Sequence, residues 1–149
     1  MKKLTLTTGL ILLFGQLLVA QMSEEDISSY WEELQAESWS EAKKRDSCKY
    51  SLFLLFGAGE TEGLNYRADD SLQYGSQRQD SLWKAVGYYG KGLYYLHTSD
   101  YPQAAASFAA SAKAFKSQGA KANYYSACWN QSRSLQMASQ TKQALALVY

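Results

Sequence analysis

With 149 residues, the chain is long enough for one domain with a modest hydrophobic core but not for several. Twelve tyrosines, four tryptophans and five phenylalanines, against a single proline, exclude an intrinsically disordered protein. The formal net charge of +1 gives no electrostatic signature for nucleic acid or anionic lipid, so we expect neither as a partner.

The first twenty residues have the composition of a bacterial-type signal peptide. Lys2 and Lys3 precede the apolar run LILLF, and Ala20 offers a small residue at a plausible cleavage site. Gln16 interrupts the apolar stretch, which is shorter than the roughly 20 residues that span a bilayer. We predict a cleaved signal peptide over 1–20, an exported periplasmic or cell-envelope protein, and no membrane insertion of the mature chain, with a retained anchor as the alternative.

A leading helix is predicted within residues 21–40. The sequence SEEDISSYWEELQAE opens with Ser23 and three acids, a pattern typical of a helix N-terminus, where carboxylates meet exposed N–H groups. Apolar residues from Ile27 to Leu34 then fall on one stripe. This helix is expected to cap whatever follows it.

Turn signals divide the rest of the chain into helices. Ser40 can cap a helix that ends at the Gly57-Ala58-Gly59 turn. Asp80 and Pro102 mark two further starts, because aspartate caps a helix and proline suits its first turn. The predicted helices are 40–56, 60–77, 80–97, 102–118, 120–137 and the unfinished 141–149.

These helices repeat with a period of forty or forty-one residues. Leu52, Gly92 and Ser132 lie forty residues apart, at the same place in successive units. Gly92 lies between Tyr88 and Tyr95 on one helix, and Phe108 lies between Ala104 and Ala112 on the next. A small residue on one helix that faces a ring on the other allows close approach, as the packing of a helical hairpin requires. The sequence therefore predicts an all-α solenoid of antiparallel helical hairpins over about 41–77, 81–118 and 120–149, the last being incomplete.

The central hairpin resembles a tetratricopeptide repeat. The family pattern W-x2-L-G-x2-Y, followed by A-x3-F, is met by Tyr88, Gly92 and Tyr95, and then by Ala104 and Phe108. Tyr88 stands where the family has tryptophan. The resemblance implies a right-handed superhelix of about three repeats behind a leading helix. The period near forty is similar to the long-helix variety found in bacterial sensory and regulatory proteins.

The resemblance also implies a binding groove, because the first helix of each hairpin in this family lines a concave surface. Aromatic and aliphatic side chains with isolated cations suit an extended or helical peptide held by apolar anchors. Alternatively, the same side chains simply meet a neighbouring helix. The residues projected onto the groove are Lys49, Phe53, Phe56, Tyr89, Leu93, Leu96, Trp129, Arg133 and Gln136.

The sequence offers little for catalysis. His97 is the only histidine, and a histidine at a helix end is explained by the helix dipole. One histidine with Cys48 and Cys128 does not make a zinc site, and the two cysteines are expected to be free, largely buried thiols. We therefore expect no enzymatic activity, no cofactor and no metal.

Two functions fit these features. The first is an exported scaffold that binds a protein or peptide. The second is the amino-terminal sensory input of a bacterial membrane signalling protein, either a histidine kinase or a transcriptional regulator, that lacks its output domain. The apolar residues near the carboxyl end, Ala144 to Val148, are an unusual end for a solenoid, which favours self-association through that end or a longer protein.

Overall fold

The computed structural model describes residues 40–138, and within them the chain forms five α-helices and no strand. The helices are α1 (Glu41–Ala58), α2 (Thr61–Gln77), α3 (Ser81–His97), α4 (Tyr101–Ser117) and α5 (Lys121–Met137). Each helix begins twenty residues after the one before it, so the predicted period of forty residues is confirmed. The predicted signal peptide, the leading helix ahead of Ser40 and the unfinished helix 141–149 lie outside the described residues.

Ser40 and Asp80 cap two of the helices as predicted, and a third helix begins at the predicted place beside Pro102, with Asp100 as its cap. The Ser40 hydroxyl accepts a hydrogen bond from a backbone N–H three residues ahead, at 3.4 Å. The Asp80 carboxylate accepts two such bonds at 2.8 and 3.2 Å. Asp100 accepts one at 3.2 Å and is followed closely by Pro102, which lies in the first turn of α4. These caps satisfy N–H groups that have no partner within the helix.

All four turns between the helices have the same geometry. One residue in each turn has a left-handed backbone: Gly59 (φ 80°), Gln79 (φ 54°), Ser99 (φ 62°) and Gly119 (φ 70°). The next residue donates its N–H to the carbonyl five positions back, with N···O distances of 2.8 to 3.0 Å. Because the turns are equivalent, consecutive helices reverse direction in the same way throughout the stack.

The odd-numbered helices lie side by side and run in the same direction. Trp83 on α3 donates its indole N–H to Glu41 on α1 at 2.9 Å, and the ring of Phe56 lies 5.9 Å from that of His97. Both pairs join residues about forty positions apart, near opposite ends of the two helices. Helix α1 is therefore parallel to α3, as expected for the first helices of successive hairpins.

Helix α3 is the centre of the fold, since it contacts each of the other four helices. The hydrophobic core includes side chains from all five helices, and α3 contributes Trp83, Val86, Tyr89 and Leu93 to it. None of the helices between residues 40 and 138 is long and apolar enough to cross a membrane.

Glycines on α3 allow its neighbours to pack closely. A Cβ atom at Gly87 would lie 2.6 Å from Leu72 Cγ on α2, and one at Gly92 would lie 2.6 Å from Phe108 Cε1 on α4. Real Cβ atoms do not approach carbon so closely, so only glycine fits at these two positions. The predicted packing of a small residue on one helix against a ring on the next is confirmed at Gly92 and Phe108.

Replacing Gly92 by alanine should destabilise the protein by about 1–3 kcal/mol, because the added methyl group meets the Phe108 ring. Urea unfolding followed by circular dichroism measures this loss. Gly92→Ala combined with Phe108→Leu should lose less than the sum of the two single changes, since the smaller side chain makes room. An unchanged or raised stability in Gly92→Ala would mean that the higher helix propensity of alanine outweighs the contact.

Candidate functional site

A cleft of about 100 Å³ opens between the amino-terminal parts of the three parallel helices. Its apolar floor and charged rim come from different elements, which the repeat brings together. The small side chains of Ala42 on α1 and Ala120 at the start of α5 leave the space open. The cleft is lined by Ala42, Arg45, Asp46 and Lys49 of α1, Leu82 and Val86 of α3, Phe115 of α4, and Ala120 and Asn123 at the start of α5.

Lys49 crosses from α1 to α5. Its ammonium group donates a hydrogen bond to Asn123 Oδ1 at 2.6 Å, although the two residues are 74 positions apart. The same nitrogen lies 4.9 Å from the ring centre of Tyr89, and 5.9 Å from those of Phe53 and Phe115. The cation is thus surrounded by aromatic rings from three helices, an arrangement that stabilises a positive charge with little water.

The charge of Lys49 is only partly compensated. Burial lowers the pKa of its ammonium group, and the nearby carboxylate of Asp46 acts in the opposite direction. The neighbouring cation Arg45 forms an ion pair of 3.2 Å with Asp80 at the start of α3, so that carboxylate is paired with Arg45 and not with Lys49. No carboxylate of residues 40–138 lies within 4.0 Å of the Lys49 nitrogen. The cleft therefore holds a partly desolvated cation whose hydrogen-bond partner is a neutral amide.

Tyr89 fills the space beneath Lys49. The side chain is 0% exposed, and its ring packs edge-on against Phe53 at 5.5 Å and Phe108 at 5.2 Å. Its hydroxyl is hydrogen-bonded to Ser126 at 3.0 Å and to Asn130 at 2.8 Å, both on α5. Burial raises the pKa of this phenol. Tyr89 is a core residue that joins four helices.

The structure separates the nine residues projected onto the groove into three groups. Tyr89 and Leu93 are buried in the hydrophobic core, so neither side chain is available to a ligand in the projected groove. Lys49, Phe56 and Leu96 are partly buried, and the last two pack on the core, as the alternative interpretation expected. The exposed members are Phe53, Trp129, Arg133 and Gln136.

Only part of this set is brought together. Lys49, Phe53 and Tyr89 are in mutual contact, whereas Trp129 and Arg133 lie on the exposed side of α5. Of the residues that line the cleft, the sequence analysis identified Lys49 and did not identify Asn123 or the others. Asn123 is an ordinary polar residue early in a helix, and no sequence signal pairs it with a lysine 74 positions away.

The remaining reactive side chains are placed as the sequence predicted. Cys48 and Cys128 are free and buried. Burial raises the pKa of the Cys48 thiol to about 12, and its sulfur lies 3.1 Å from the Ser71 hydroxyl, so it is a poor nucleophile at neutral pH. His97 is exposed at the end of α3, with its Nδ1 atom 3.3 Å from the Thr61 hydroxyl. Residues 40–138 contain no group of three or more histidine, cysteine or acidic side chains placed to hold a metal.

No protein-family model, curated protein or solved structure matches the chain. The cleft combines apolar walls with the charged side chains of Arg45, Asp46 and Lys49, which suits recognition of a side chain or small group.

Asn123→Ala should destabilise the protein by about 1–2 kcal/mol, because the partly buried Lys49 ammonium loses its oxygen acceptor. Lys49→Met retains much of the aliphatic side chain without the charge, and in that background Asn123→Ala should cost much less. Urea unfolding of the four proteins in this double-mutant cycle measures the coupling. Additive losses would show that the bond between α1 and α5 contributes nothing to stability.

Stability should decline at alkaline pH through Cys48. A thiol whose pKa is raised from 9.0 to about 12 on folding stabilises the protein fully below pH 9, and this contribution is lost as the pH rises toward 12. Cys48→Ala should therefore lose less stability than the unchanged protein between pH 8 and pH 11, as measured by urea midpoints. Equal declines would contradict the assignment. The pKa of Tyr89 is also raised by burial, and its contribution to the alkaline loss of stability is present in both proteins.

Proposed function

We propose that the chain is an exported scaffold of the tetratricopeptide type that binds a protein or peptide and catalyses no reaction. The observation that carries this proposal is the cleft between α1, α3 and α5, with apolar side chains at its floor and the partly desolvated Lys49 at its rim. A peptide that inserts one side chain there gains apolar contact. An acceptor group on the same peptide can approach the ammonium group.

The dimensions of the cleft favour one anchor of a longer ligand over a complete small molecule. A volume of about 100 Å³ is below the usual range of about 300–1,000 Å³ for small-molecule pockets. Phe53 lies beside Lys49 and is 40% exposed, so it can extend the apolar contact beyond the cleft. Peptide recognition commonly combines a buried anchor with weaker contacts around it.

A non-catalytic role also agrees with the state of the reactive groups. The Cys48 thiol is buried with a pKa of about 12, and His97 has a threonine hydroxyl as its neighbour. A nucleophile needs a nearby base that can take its proton, and these two residues lie in different surroundings. Binding is therefore the function that the described residues support best.

The test is to narrow the cleft without touching the core. Ala42→Phe places a ring at the rim on the exposed side of α1, and Ala106→Phe makes the same change on the exposed side of α4, away from the cleft. Capture of partners from a cell-envelope fraction should fall at least tenfold with Ala42→Phe and remain with Ala106→Phe. Tyr89→Ala is unsuitable as a surface variant, because removing a buried ring costs about 3–5 kcal/mol.

Both variants should keep the helical circular dichroism signal and melting temperature of the unchanged protein, since both positions are exposed. Equal capture by the two variants would remove the cleft from the binding site. Failure of the unchanged protein to retain any partner specifically would contradict the scaffold itself.

A further inference from the structure

The charges around the cleft are unevenly distributed. Residues 101–138, which contain α4 and α5, include four basic residues and no acidic one. Two of the four, Lys116 and Lys121, are exposed and lie next in sequence to Phe115 and Ala120, which line the cleft. The α4 and α5 side of the cleft therefore attracts an anionic group.

The α1 side of the cleft carries charges of both signs. Arg45 lines the cleft but is paired with Asp80. Asp46 also lines it, as an exposed carboxylate that does not come within 4.0 Å of the Lys49 nitrogen. Lys49 is thus the lining cation with no carboxylate of residues 40–138 in direct contact, and its charge adds to that of the α4 and α5 side.

The Lys49 ammonium group has hydrogen bonds left to donate. An ammonium group carries three N–H donors, and among residues 40–138 only Asn123 Oδ1 accepts from this one, at 2.6 Å. Three aromatic rings lie 4.9 to 5.9 Å from the nitrogen and exclude part of its water. In such surroundings a charge-assisted hydrogen bond is stronger than in water, so an anionic acceptor gains more than a neutral one.

The surface of α1 beside Lys49 sets the spacing of a ligand. The lining residue Arg45 lies one turn before Lys49, and the exposed Phe53 lies one turn after it on the same side. Four residues advance about 6 Å along a helix axis. In an extended peptide, alternate side chains point to one side at intervals of about 6.6 Å. An extended segment can therefore present three side chains in turn to the cleft, to Lys49 and to Phe53.

We propose, resting on the peptide-binding function proposed above, that the ligand is an extended internal segment of a partner protein with the order apolar, any residue, acidic, any residue, apolar. One apolar side chain enters the cleft and contacts Leu82 and Val86. The carboxylate accepts a hydrogen bond from Lys49, and the second apolar side chain packs on Phe53. The order reads the same in both directions, so the polarity of the bound segment does not alter it.

A phage-displayed library of short random peptides tests the ligand class without a known partner. Each peptide is fused to the phage through its carboxyl end, so no terminal carboxylate is presented. Peptides that the immobilised protein retains should contain the apolar, acidic, apolar order at least tenfold more often than the unselected library. Retained peptides without this order, or with a basic centre, would overturn the proposal and leave the peptide-binding function standing. Retention of no peptide would contradict both.

The best retained peptide, synthesised with both ends blocked and a fluorescent label, gives the affinities. Changing its central acid to the corresponding amide should weaken binding about tenfold, because a charged acceptor becomes neutral. Moving the acid by one residue should weaken binding as much, since the side chain then points away from Lys49. Binding should also weaken as the salt concentration rises. Equal binding of the acid and amide peptides would overturn the proposal.

Two cleft variants should act in opposite directions. Lys49→Met should weaken binding of the acidic peptide about tenfold and leave that of its amide form nearly unchanged. Asp46→Asn removes a carboxylate from the same lining and should strengthen binding of the acidic peptide. Lys113→Met is the matched control, because it removes an exposed cation outside the cleft, and it should change the Kd less than twofold.

Circular dichroism shows whether each variant is folded. Asp46 is exposed, so Asp46→Asn and the changes in the peptide decide the matter if Lys49→Met unfolds. Weaker binding by Asp46→Asn would overturn the proposal. So would an equal loss for the acid and amide peptides in a folded Lys49→Met protein, since that loss would show that Lys49 only maintains the shape of the cleft.

Discussion

The position of Tyr89 is the constraint on which the rest of the structure depends. Its ring separates α1 from α5 and rests on Phe108 of α4, while its hydroxyl is satisfied by Ser126 and Asn130. A buried phenol without those partners would cost free energy, so the polar residues of α5 are as necessary as the apolar ones. Lys49 then closes the surface above the ring, because its ammonium group reaches Asn123.

Two glycines of α3 let its antiparallel neighbours approach closely. Gly92 lets α4 approach α3 until Phe108 lies under Tyr89, and Gly87 does the same for α2 at Leu72. The parallel helices α1 and α5 are instead held apart by the Tyr89 ring. Their amino-terminal parts, lined by Ala42 and Ala120, cannot fill the space between them, and this is where the cleft lies.

Most of the fold could be predicted because its signals are local. Ser40, Asp80 and Gly59 act within a few residues of their own positions, and the forty-residue period follows from counting between turns. The groove could not be predicted in the same way. Whether Tyr89 is exposed depends on how closely α1 approaches α5, and that distance is fixed by contacts such as Lys49 with Asn123, 74 residues apart.

The exposed face of α5 and the cleft have a common origin in the repeat. Each unit of a solenoid contacts only its neighbours, so each unit carries a surface of the kind that a neighbour covers. Trp129 and Tyr89 hold one position in successive units, and among residues 40–138 the helix that covers Tyr89 has no counterpart over Trp129. The Lys49 bond to Asn123 departs from this rule, because it links the first unit directly to the third. It resists any change in curvature that would separate α1 from α5, and the shape of the cleft is thereby coupled to the curvature of the stack.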